Sequence, residues 1–443
     1  MSDAPIEASR LRESLRGMPR ARFRARIERI VGTTLESSRL PAAVGDLCHV
    51  RPRSGPPVAA EVVGFRDGRL VLMPLAETEG IEPGSEVTLA ARAGGVAVGD
   101  FLLGRVLNGL GSPIDGGPPL PADAPERAIH GPSPLPLSRP KVERPLSTGV
   151  RAVDGLLAVG RGQRIGFFAG SGVGKSSLLS TMARESDADV NVIALIGERG
   201  AEVKAFIDGP LGPEGLKRSV IVVATSDTPA QLRFRGTFLA TSIAEHFRDR
   251  GLSVLFMMDS VTRFAAALRE IGLARGEPPA AKGYPPSLFS TLPKLVERLG
   301  NSDRGSITGF LTVLVEGDDL NDPVADTMRS LLDGHVVLSR DLANRGHFPA
   351  IDILASVSRA FHEVVSTEHL ESARRFRELW ATLVENRDLV QIGAYRKGAD
   401  PALDAALESA PKLSAFLRQS SSERSTFDET LRALSAAVGG AAT

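Results

Sequence analysis

The chain has 443 residues, enough for two or three domains, and its 53 acidic side chains balance 53 basic ones, so no overall charge favours nucleic acid. The single cysteine, Cys48, excludes an internal disulfide and fits a reducing compartment. The first residues lack the apolar core of a secretory signal, and no apolar run reaches the ~18 residues of a membrane-spanning helix. We therefore expect a cytoplasmic protein.

Residues 1–30 are predicted to form a basic, amphipathic N-terminal arm. Eight arginines lie between residues 10 and 29, against Glu13 and Glu28. The apolar side chains repeat at helical spacing in two sets, interrupted by Pro19: Leu11, Leu15 and Met18, then Phe23, Ile27 and Ile30. The pattern is typical of a helix that binds an acidic surface, and equally of a solvated helix that packs on its own domain.

Residues 31–112 are predicted to form a small β-barrel. Short alternating runs such as CHVRPR, AAEVVGF and GRLVLMPL are separated by glycine and aspartate, as closely spaced strands are. Residues 113–145 follow with ten prolines and almost no periodic apolar pattern. This composition predicts a linker or an extended segment that wraps over the next domain.

Residues 146–360 contain apolar runs without polar alternation, which indicate strands buried on both faces: IGFF, NVIALIG, SVIVVATS, LSVLFMM and ITGFLTVLV. Helical patterns lie between most of these runs, so we expect an open α/β domain with a parallel sheet. Residues 361–443 read as helical, and Thr426 with Glu429 predicts a capping box before the last helix. One helix face is predicted to consist of Phe376, Leu379, Trp380, Leu383 and Val384.

The sequence IGFFAGSGVGKSSLL, residues 165–179, has the pattern of a phosphate-binding loop between a buried strand and a helix. Its glycines lack Cβ atoms, so backbone N–H groups can converge on phosphate oxygens, and the helix N-terminus adds partial positive charge. Lys175 is expected to reach the β- and γ-phosphates, and Ser176 to offer its hydroxyl to Mg²⁺. The usual first glycine is Ala169 here. The predicted nucleotide-binding residues of the loop are Ala169, Gly170, Ser171, Gly172, Val173, Gly174, Lys175, Ser176 and Ser177.

Two carboxylates follow other buried strands, at the edge of the sheet where ligands bind in such folds. Asp259 ends the run LSVLFMMD, and we interpret it as part of the Mg²⁺ shell; the alternative is a helix cap. Glu198, in LIGERG, is placed to orient the attacking water; the alternative is a surface ion pair with Arg199.

Several longer motifs resemble the type III protein-export ATPases, which are relatives of the catalytic and non-catalytic subunits of rotary ATP synthases. The resemblance covers about residues 45–400 and rests on AGSGVGKS, GERG, MDSVTRFA, GEPPAAKGYPPSLF, TVLVEGDDLNDP, DGHVVLSR and FPAIDILASVSR. GEPPAAKGYPPS favours the export branch over the rotary synthases. The barrel segment VVGFRDGRLVLMPLAETEGIEPG is more similar to flagellar than to injectisome export ATPases.

The resemblance implies roles for individual residues. Glu198 matches the catalytic glutamate, and Arg199 matches an arginine near the phosphates. Phe348 matches an aromatic that stacks on adenine, usually tyrosine in the family; otherwise it is a core aromatic. Arg359 matches an arginine finger that reaches a neighbouring subunit's nucleotide; otherwise it is the solvated end of an apolar run. The resemblance also implies that Asp318 and Asp319 lie in a loop facing a central channel. The loop from Lys282 to Pro286 is expected near it; the alternative for that loop is a rigid proline turn.

The implied fold has an N-terminal β-barrel, a central RecA-like α/β ATPase domain and a C-terminal helical domain. The implied function is ATP hydrolysis, with Mg²⁺, that energises flagellar protein export by a homohexameric ring at the inner-membrane export apparatus. The implied partners are a coiled-coil stalk protein in the pore, a dimeric export regulator at the N-terminal arm, the export gate and substrate–chaperone complexes. The arginine-rich arm also fits acidic lipid.

Four alternatives remain at the level of the sequence. These alternatives are an injectisome ATPase, a subunit of a rotary synthase, a hexameric RNA translocase and a binding module that has lost hydrolysis. The translocase needs aromatic side chains that stack on bases, and residues 45–110 offer Phe65 and Phe101 but no Tyr or Trp. The presence of Lys175, Glu198 and Asp259 disfavours the inactive module.

Overall fold

The computed structural model describes residues 23–91, 95–315 and 322–439. The chain divides into two compact units, one up to Gly94 and one from Gly95. Residues 1–22 of the predicted arm, and the pair Asp318 and Asp319, lie outside the described residues.

The first unit contains a closed barrel of six antiparallel strands, in the order β1-β2-β5-β4-β3-β6. The strands are β1 (Arg24–Val31), β2 (Thr34–Ser37), β3 (Leu47–Val50), β4 (Val58–Arg66), β5 (Arg69–Pro74) and β6 (Glu86–Ala91). The predicted barrel is therefore confirmed, although its strands begin earlier and end earlier than residues 31–112. Its interior is filled by small and branched apolar side chains, among them Ile27, Leu35, Val50, Val62 and Leu72.

The helical interpretation of residues 23–30 is wrong, because residues 24–31 form β1. Ala25 and Ile27 are buried at the period of two that a strand requires, whereas Phe23 and Ile30 are 63% and 44% exposed. Phe23, Ile27 and Ile30 therefore have the spacing of a helix, but they do not form one buried face.

The second unit is built on a nine-stranded sheet in the order β19-β18-β12-β17-β15-β13-β14-β8, with β16 paired to β17. The strands are β8 (Val106–Asn108), β12 (Arg164–Ala169), β13 (Val190–Ile196), β14 (Ser219–Ala224), β15 (Ser253–Asp259), β16 (Gly300–Asn301), β17 (Ser306–Leu314), β18 (Gly334–Leu338) and β19 (Ile351–Ser358). The strands from β18 to β8 run parallel, and β19 is antiparallel to β18. The predicted α/β domain with a parallel sheet is confirmed.

Helices cover both faces of this sheet, and two apolar clusters form the core on either side of it. The helices are α1 (Arg151–Leu156), α2 (Lys175–Glu185), α3 (Gly200–Phe206), α4 (Gly212–Lys217), α5 (Ala230–Asp249), α6 (Val261–Ala274), α7 (Pro286–Val296), α8 (Pro323–Leu331) and α9 (Arg340–Asn344). Strands β13, β14 and β15 are buried along their whole length, as their uninterrupted apolar sequences predict.

The proline-rich segment wraps over this domain. Two short pairs, β7 (Gly95–Ala97) with β9 (Glu126–Ala128) and β10 (Pro145–Leu146) with β11 (Val159–Gly160), mark its course. The buried Arg298 fastens it, since its guanidinium donates to Ile129 O at 2.7 Å and to Glu245 Oε1 at 2.7 Å on α5. Arg127 of the wrap also donates to Glu245 Oε2, at 3.3 Å, so two arginines and one buried carboxylate hold the wrap on α5. Removing Glu245 would leave the buried Arg298 guanidinium without this carboxylate, at a large cost in stability.

The C-terminal helices are α10 (Phe361–Val364), α11 (Thr367–Glu385), α12 (Arg387–Gln391), α13 (Pro401–Leu417) and α14 (Phe427–Ala437). The predicted capping box is confirmed, with the Thr426 and Glu429 side chains each bonded to the other's backbone N–H. Phe376 and Leu379 are buried as predicted, but Val384 is 48% exposed near the end of α11. Among the described residues, no helix is both long enough and apolar enough to cross a membrane.

Candidate active site

The predicted order of strand, loop and helix is present at the phosphate-binding motif. β12 ends at Ala169, and α2 begins at Lys175. Gly172 and Gly174 have φ angles of 80° and 86°, which glycine adopts without the strain that a side chain would bring. The loop therefore has the backbone freedom to turn its N–H groups toward one point at the helix N-terminus.

Lys175 joins the two predicted carboxylates. Its Nζ donates to Asp259 Oδ1 at 2.5 Å and lies 3.8 Å from Glu198 Oε1. The three side chains are only 9–15% exposed. They come from the carboxyl ends of β12, β13 and β15, which meet at one edge because the strands are parallel. The structure thus brings together residues that are 84 positions apart in sequence.

The environment of Glu198 favours its protonated form. Burial, followed by the negative charge of Asp259, raises the pKa of Glu198 to about 7, and Lys175 opposes the rise. Its Oε1 is buried without a hydrogen-bond partner among the residues that the structure describes. The carboxyl group therefore changes its ionisation state near neutral pH.

A cavity of about 400 Å³ opens in front of the phosphate loop. Residues 170–172 and 174–177 line one side, and Glu198 and Arg199 line the other. Arg199 occupies the N-cap position of α3 and is exposed. Within the described chain, the ion pair of Glu198 is with Lys175 and not with Arg199. The cavity combines a loop of backbone donors, a lysine, an arginine and a carboxylate, which is the set that phosphoryl transfer requires.

Arg263 is a cavity residue that the sequence analysis missed. It lies in the first turn of α6, four residues after Asp259, and lines the same cavity. Gly197 makes room for it, because a Cβ at that position would lie 2.5 Å from the Cβ of Arg263. Its place just after a strand that ends in aspartate is the sequence signal that points to it.

A second cavity, of about 450 Å³, lies on the other side of the loop. Its walls are mainly apolar, with Val150, Leu178, Phe348 and Pro349 among the lining residues. Phe348 is 46% exposed, and a Cβ at Gly174 would lie 3.4 Å from its ring. Phe348 is therefore not a core aromatic, and its ring stands beside the loop with a face available for stacking.

The C-terminal helical domain supplies part of this second cavity through Gln419, Ser420 and Ser421. The amide of Gln419 is fully used: Oε1 accepts from Arg151 N at 2.8 Å and Nε2 donates to Gly149 O at 2.8 Å. Its backbone N–H donates to Phe348 O at 2.9 Å. Gln419 thus holds the wall that carries Phe348. The sequence gives no signal for it, since Gly149 is 270 residues away.

Arg359 lies far from the phosphate loop of its own chain. Arg359 follows β19, and the end of β19 pairs with the start of β18. The backbone N–H of Arg359 donates to Asp333 O, and the N–H of Asp333 donates to Arg164 O, the first residue of β12. Arg359 therefore lies at the end of the sheet where β12 begins. The loop follows the other end of β12, and a six-residue strand at about 3.3 Å per residue separates them by roughly 17 Å. The exposed guanidinium donates to Arg329 O at 3.2 Å.

Comparisons with known proteins agree with this geometry. Family models match three regions: the beta-barrel domain of the ATP synthase alpha/beta family at residues 27–89, its nucleotide-binding domain at 149–358, and the T3SS EscN ATPase C-terminal domain at 365–436. The chain is 52% identical to the flagellum-specific ATP synthase of Salmonella typhimurium over 94% of both chains.

Further relatives and a solved structure support the same family assignment. The flagellum-specific ATP synthase of Bacillus subtilis is 48% identical, over 94% of this chain and 95% of the relative, and the type 3 secretion system ATPase of Xanthomonas euvesicatoria is 45% identical over 98% of both. The solved structure of the assembled ATPase EscN from enteropathogenic E. coli superposes with a TM-score of 0.89 at 44% identity, covering 94% of this chain and 100% of EscN. The resemblance drawn from the motifs is therefore confirmed, and the chain is an ATPase that belongs to the family of flagellum-specific ATP synthases and type 3 secretion system ATPases.

Proposed function

We propose that this ATPase energises the export of flagellar proteins by a type III apparatus. The observation that carries the proposal is the meeting of Lys175, Glu198 and Asp259 at one sheet edge, in a chain about half identical to flagellum-specific relatives along nearly its whole length. The similarity of the barrel segment VVGFRDGRLVLMPLAETEGIEPG to flagellar export ATPases favours the flagellar over the injectisome system.

In the proposed complex the triphosphate lies along the loop from Ala169 to Ser177, with Lys175 against the β- and γ-phosphates. The guanidinium groups of Arg199 and Arg263 face the same cavity and stabilise the charge that spreads over the transferred phosphoryl group. The base occupies the second cavity and stacks on Phe348. Stacking needs only the ring face, so phenylalanine serves where relatives carry tyrosine.

The donor set fits Mg²⁺. Ser176 offers a hydroxyl and Asp259 a carboxylate, both of them hard oxygen ligands. Among the described residues, no cluster of three or more His, Cys, Asp and Glu side chains is arranged to hold a metal ion. Mg²⁺ in nucleotide sites takes one or two protein ligands and completes its shell with phosphates and water, which is what this edge provides. When bound, the ion neutralises charge on the β- and γ-phosphates.

Glu198 acts as the group that orients and activates the attacking water. Its carboxylate stands across the cavity from the loop, and its pKa of about 7 is matched to work near neutral pH. Without nucleotide, Lys175 lies between Glu198 and Asp259 and offsets the repulsion of their like charges. The ionised form is needed because a protonated carboxyl cannot accept the water proton.

The pH dependence of kcat/KM should therefore show an acidic limb with an apparent pKa near 7, the value that burial and Asp259 give to Glu198 in the free enzyme. Below this pH Glu198 is protonated, and kcat/KM should fall about tenfold per pH unit. The measurement is steady-state phosphate release at constant ionic strength, with ATP binding recorded at each pH. Glu198→Asp should move the limb, and a profile that stays flat to about pH 5.5 would contradict this role.

We propose a homohexameric ring as the active assembly. The close superposition on assembled EscN supports it, as does the distance between Arg359 and the phosphate loop of its own chain. EscN is also known in complex with its central stalk EscO, at a TM-score of 0.87 and 43% identity to this chain. By analogy we propose a coiled-coil stalk protein as the partner in the pore.

The remaining proposed partners act on the export apparatus at the inner membrane: a dimeric regulator, the export gate, substrate–chaperone complexes and acidic lipid. The regulator and lipid would bind the arginine-rich start of the chain. Of the eight arginines between residues 10 and 29, Arg24, Arg26 and Arg29 belong to β1, so the arm retains five. Binding through these exposed charges should weaken as salt rises.

Turnover assays separate this function from the alternatives. The purified chain should hydrolyse ATP without any second kind of ring subunit. The stalk protein should stimulate hydrolysis, because a partner that binds the assembled ring shifts the chain toward that assembly. Homopolymeric RNA should have no effect. Stimulation by RNA but not by the stalk would support a translocase, and a chain inactive until a different ring subunit is added would support a rotary synthase.

A further inference from the structure

Strand β17 runs between β12 and β15, two of the three strands that carry the phosphate site. It pairs with β12 on one side and with β15 on the other, both in parallel register. Thr312 lies opposite Phe167 near the end of β12 and one residue beyond Leu311, which pairs with Met258. Its side chain is fully buried, between apolar neighbours on its own strand. The register thus places one hydroxyl group beside the end of the strand that terminates in Asp259.

The hydroxyl of Thr312 contacts two acceptors. Its Oγ1 lies 2.8 Å from Asp259 Oδ1 and 3.1 Å from Met258 O. A carboxylate oxygen only accepts, so Thr312 is the donor. Lys175 Nζ donates to the same oxygen, at 2.5 Å. Within the described chain, both side-chain hydrogen bonds of Asp259 therefore end on Oδ1, and Oδ2 is left for another ligand.

We propose that Thr312 is a positioning residue that fixes the rotation of the Asp259 carboxylate, so that Oδ2 faces the hydrated Mg²⁺ of the bound nucleotide. The inference rests on the proposed role of Asp259 in the metal shell. The two anchors on Oδ1 differ in what else they do. Lys175 is needed by the phosphates and sits on a long flexible side chain, whereas Thr312 is fixed in the middle of the sheet.

When Lys175 turns to the phosphates, Thr312 remains as the hydrogen bond that holds Asp259. A carboxylate without this bond would rotate, and the ordered water shell of the metal would lose a fixed acceptor. Partners of this kind behind a metal-binding carboxylate typically contribute 10–100-fold in metal affinity or activity. The effect should therefore appear in the dependence on Mg²⁺, not in the affinity for metal-free ATP.

The same strand offers a matched control. Thr308 is also fully buried on β17, but its Oγ1 accepts from Gly162 N at 2.9 Å, near the end of the strand that is remote from the loop. Thr308→Val and Thr312→Val each delete one buried hydroxyl from β17. A purely structural effect of losing such a group is common to both variants, whereas an effect on the metal belongs to Thr312 alone.

The experiment uses the full chain carrying Glu198→Gln, so that ATP is bound but not consumed. Mg²⁺ is titrated at fixed ATP, and binding is read from displacement of a fluorescent ATP analogue. Thr312→Val and the smaller Thr312→Ala should both raise the half-saturating Mg²⁺ concentration about tenfold, with ATP binding in EDTA unchanged. Thr312→Ser keeps the hydroxyl and should stay within about twofold. Thr308→Val should lower Tm without shifting the Mg²⁺ dependence.

The proposal is overturned if neither Thr312→Val nor Thr312→Ala shifts the Mg²⁺ dependence, or if ATP binding falls equally with and without Mg²⁺. Asp259→Asn separates this failure from a failure of the proposed metal site. If Asp259→Asn shifts the Mg²⁺ dependence and the Thr312 variants do not, only the positioning role is wrong. If Asp259→Asn shifts nothing, Asp259 is not in the metal shell and both inferences fall.

Discussion

Glu198→Gln should bind ATP almost as well as the native chain and turn it over about 10²–10⁴-fold more slowly. Glutamine keeps the size and polarity of the side chain but cannot accept a proton from water. The loop, Lys175 and the base cavity on Phe348 are untouched, so the affinity for ATP should remain. The measurement pairs equilibrium binding of ATP with single-turnover hydrolysis at excess enzyme, which separates chemistry from product release.

The matched control for this variant is Glu214→Gln. Glu214 lies in the same connection between β13 and β14, but it is exposed and pairs with Lys217 on the surface. It should hydrolyse ATP at the native rate. Near-normal turnover in Glu198→Gln would refute the assignment of Glu198, and a parallel loss of ATP binding would assign it a structural role.

Arg359→Ala should also bind ATP yet hydrolyse it poorly, with turnover reduced about 10³–10⁵-fold as for other arginine fingers. The residue is exposed and lies at the opposite end of β12 from its own phosphate loop. In the proposed ring, Arg359 would complete the site of the next subunit. Specific activity of the native chain should therefore rise with protein concentration, and Arg359→Ala should stay slow at every concentration.

Arg359→Lys tests what the finger contributes. Lysine keeps the positive charge but loses the planar fork that bonds to two phosphate oxygens, so turnover should recover only in part. Full activity in Arg359→Lys would mean that charge alone suffices. Full activity in Arg359→Ala would remove the finger from the mechanism.

The sequence predicted architecture well where its patterns have one structural meaning. Short, uninterrupted apolar runs rich in β-branched residues indicate strands buried on both faces, and β13, β14 and β15 are such strands. The pattern of Phe23, Ile27 and Ile30 has two meanings, since a short strand with scattered apolar residues imitates helical spacing. These residues form a strand of the barrel because Ala25 and Ile27 each bury a side chain in the barrel core.

The phosphate loop and the carboxylates could be predicted because each follows a recognisable strand. Other residues near the site could not, since their relevance depends on contacts across the folded chain. In the sequence, Thr312 is only a threonine within an apolar run. Its contact with Asp259 becomes visible from the register of β17 in the folded chain. Gln419 is held beside the base cavity by a hydrogen bond from its Nε2 to Gly149 O, 270 residues away in the sequence.

Mixing two inactive variants tests the central claim that the active site is completed by a neighbouring subunit. Lys175→Ala cannot hold the γ-phosphate, and Arg359→Ala cannot complete the next site, so each should be inactive alone. In mixed rings, some interfaces pair an intact loop with an intact arginine. The measurement is ATP turnover as a function of mixing ratio, with ring formation confirmed by sizing. Partial recovery of activity, greatest near equal proportions, is the predicted result; mixed rings that form yet remain inactive at every ratio would contradict it.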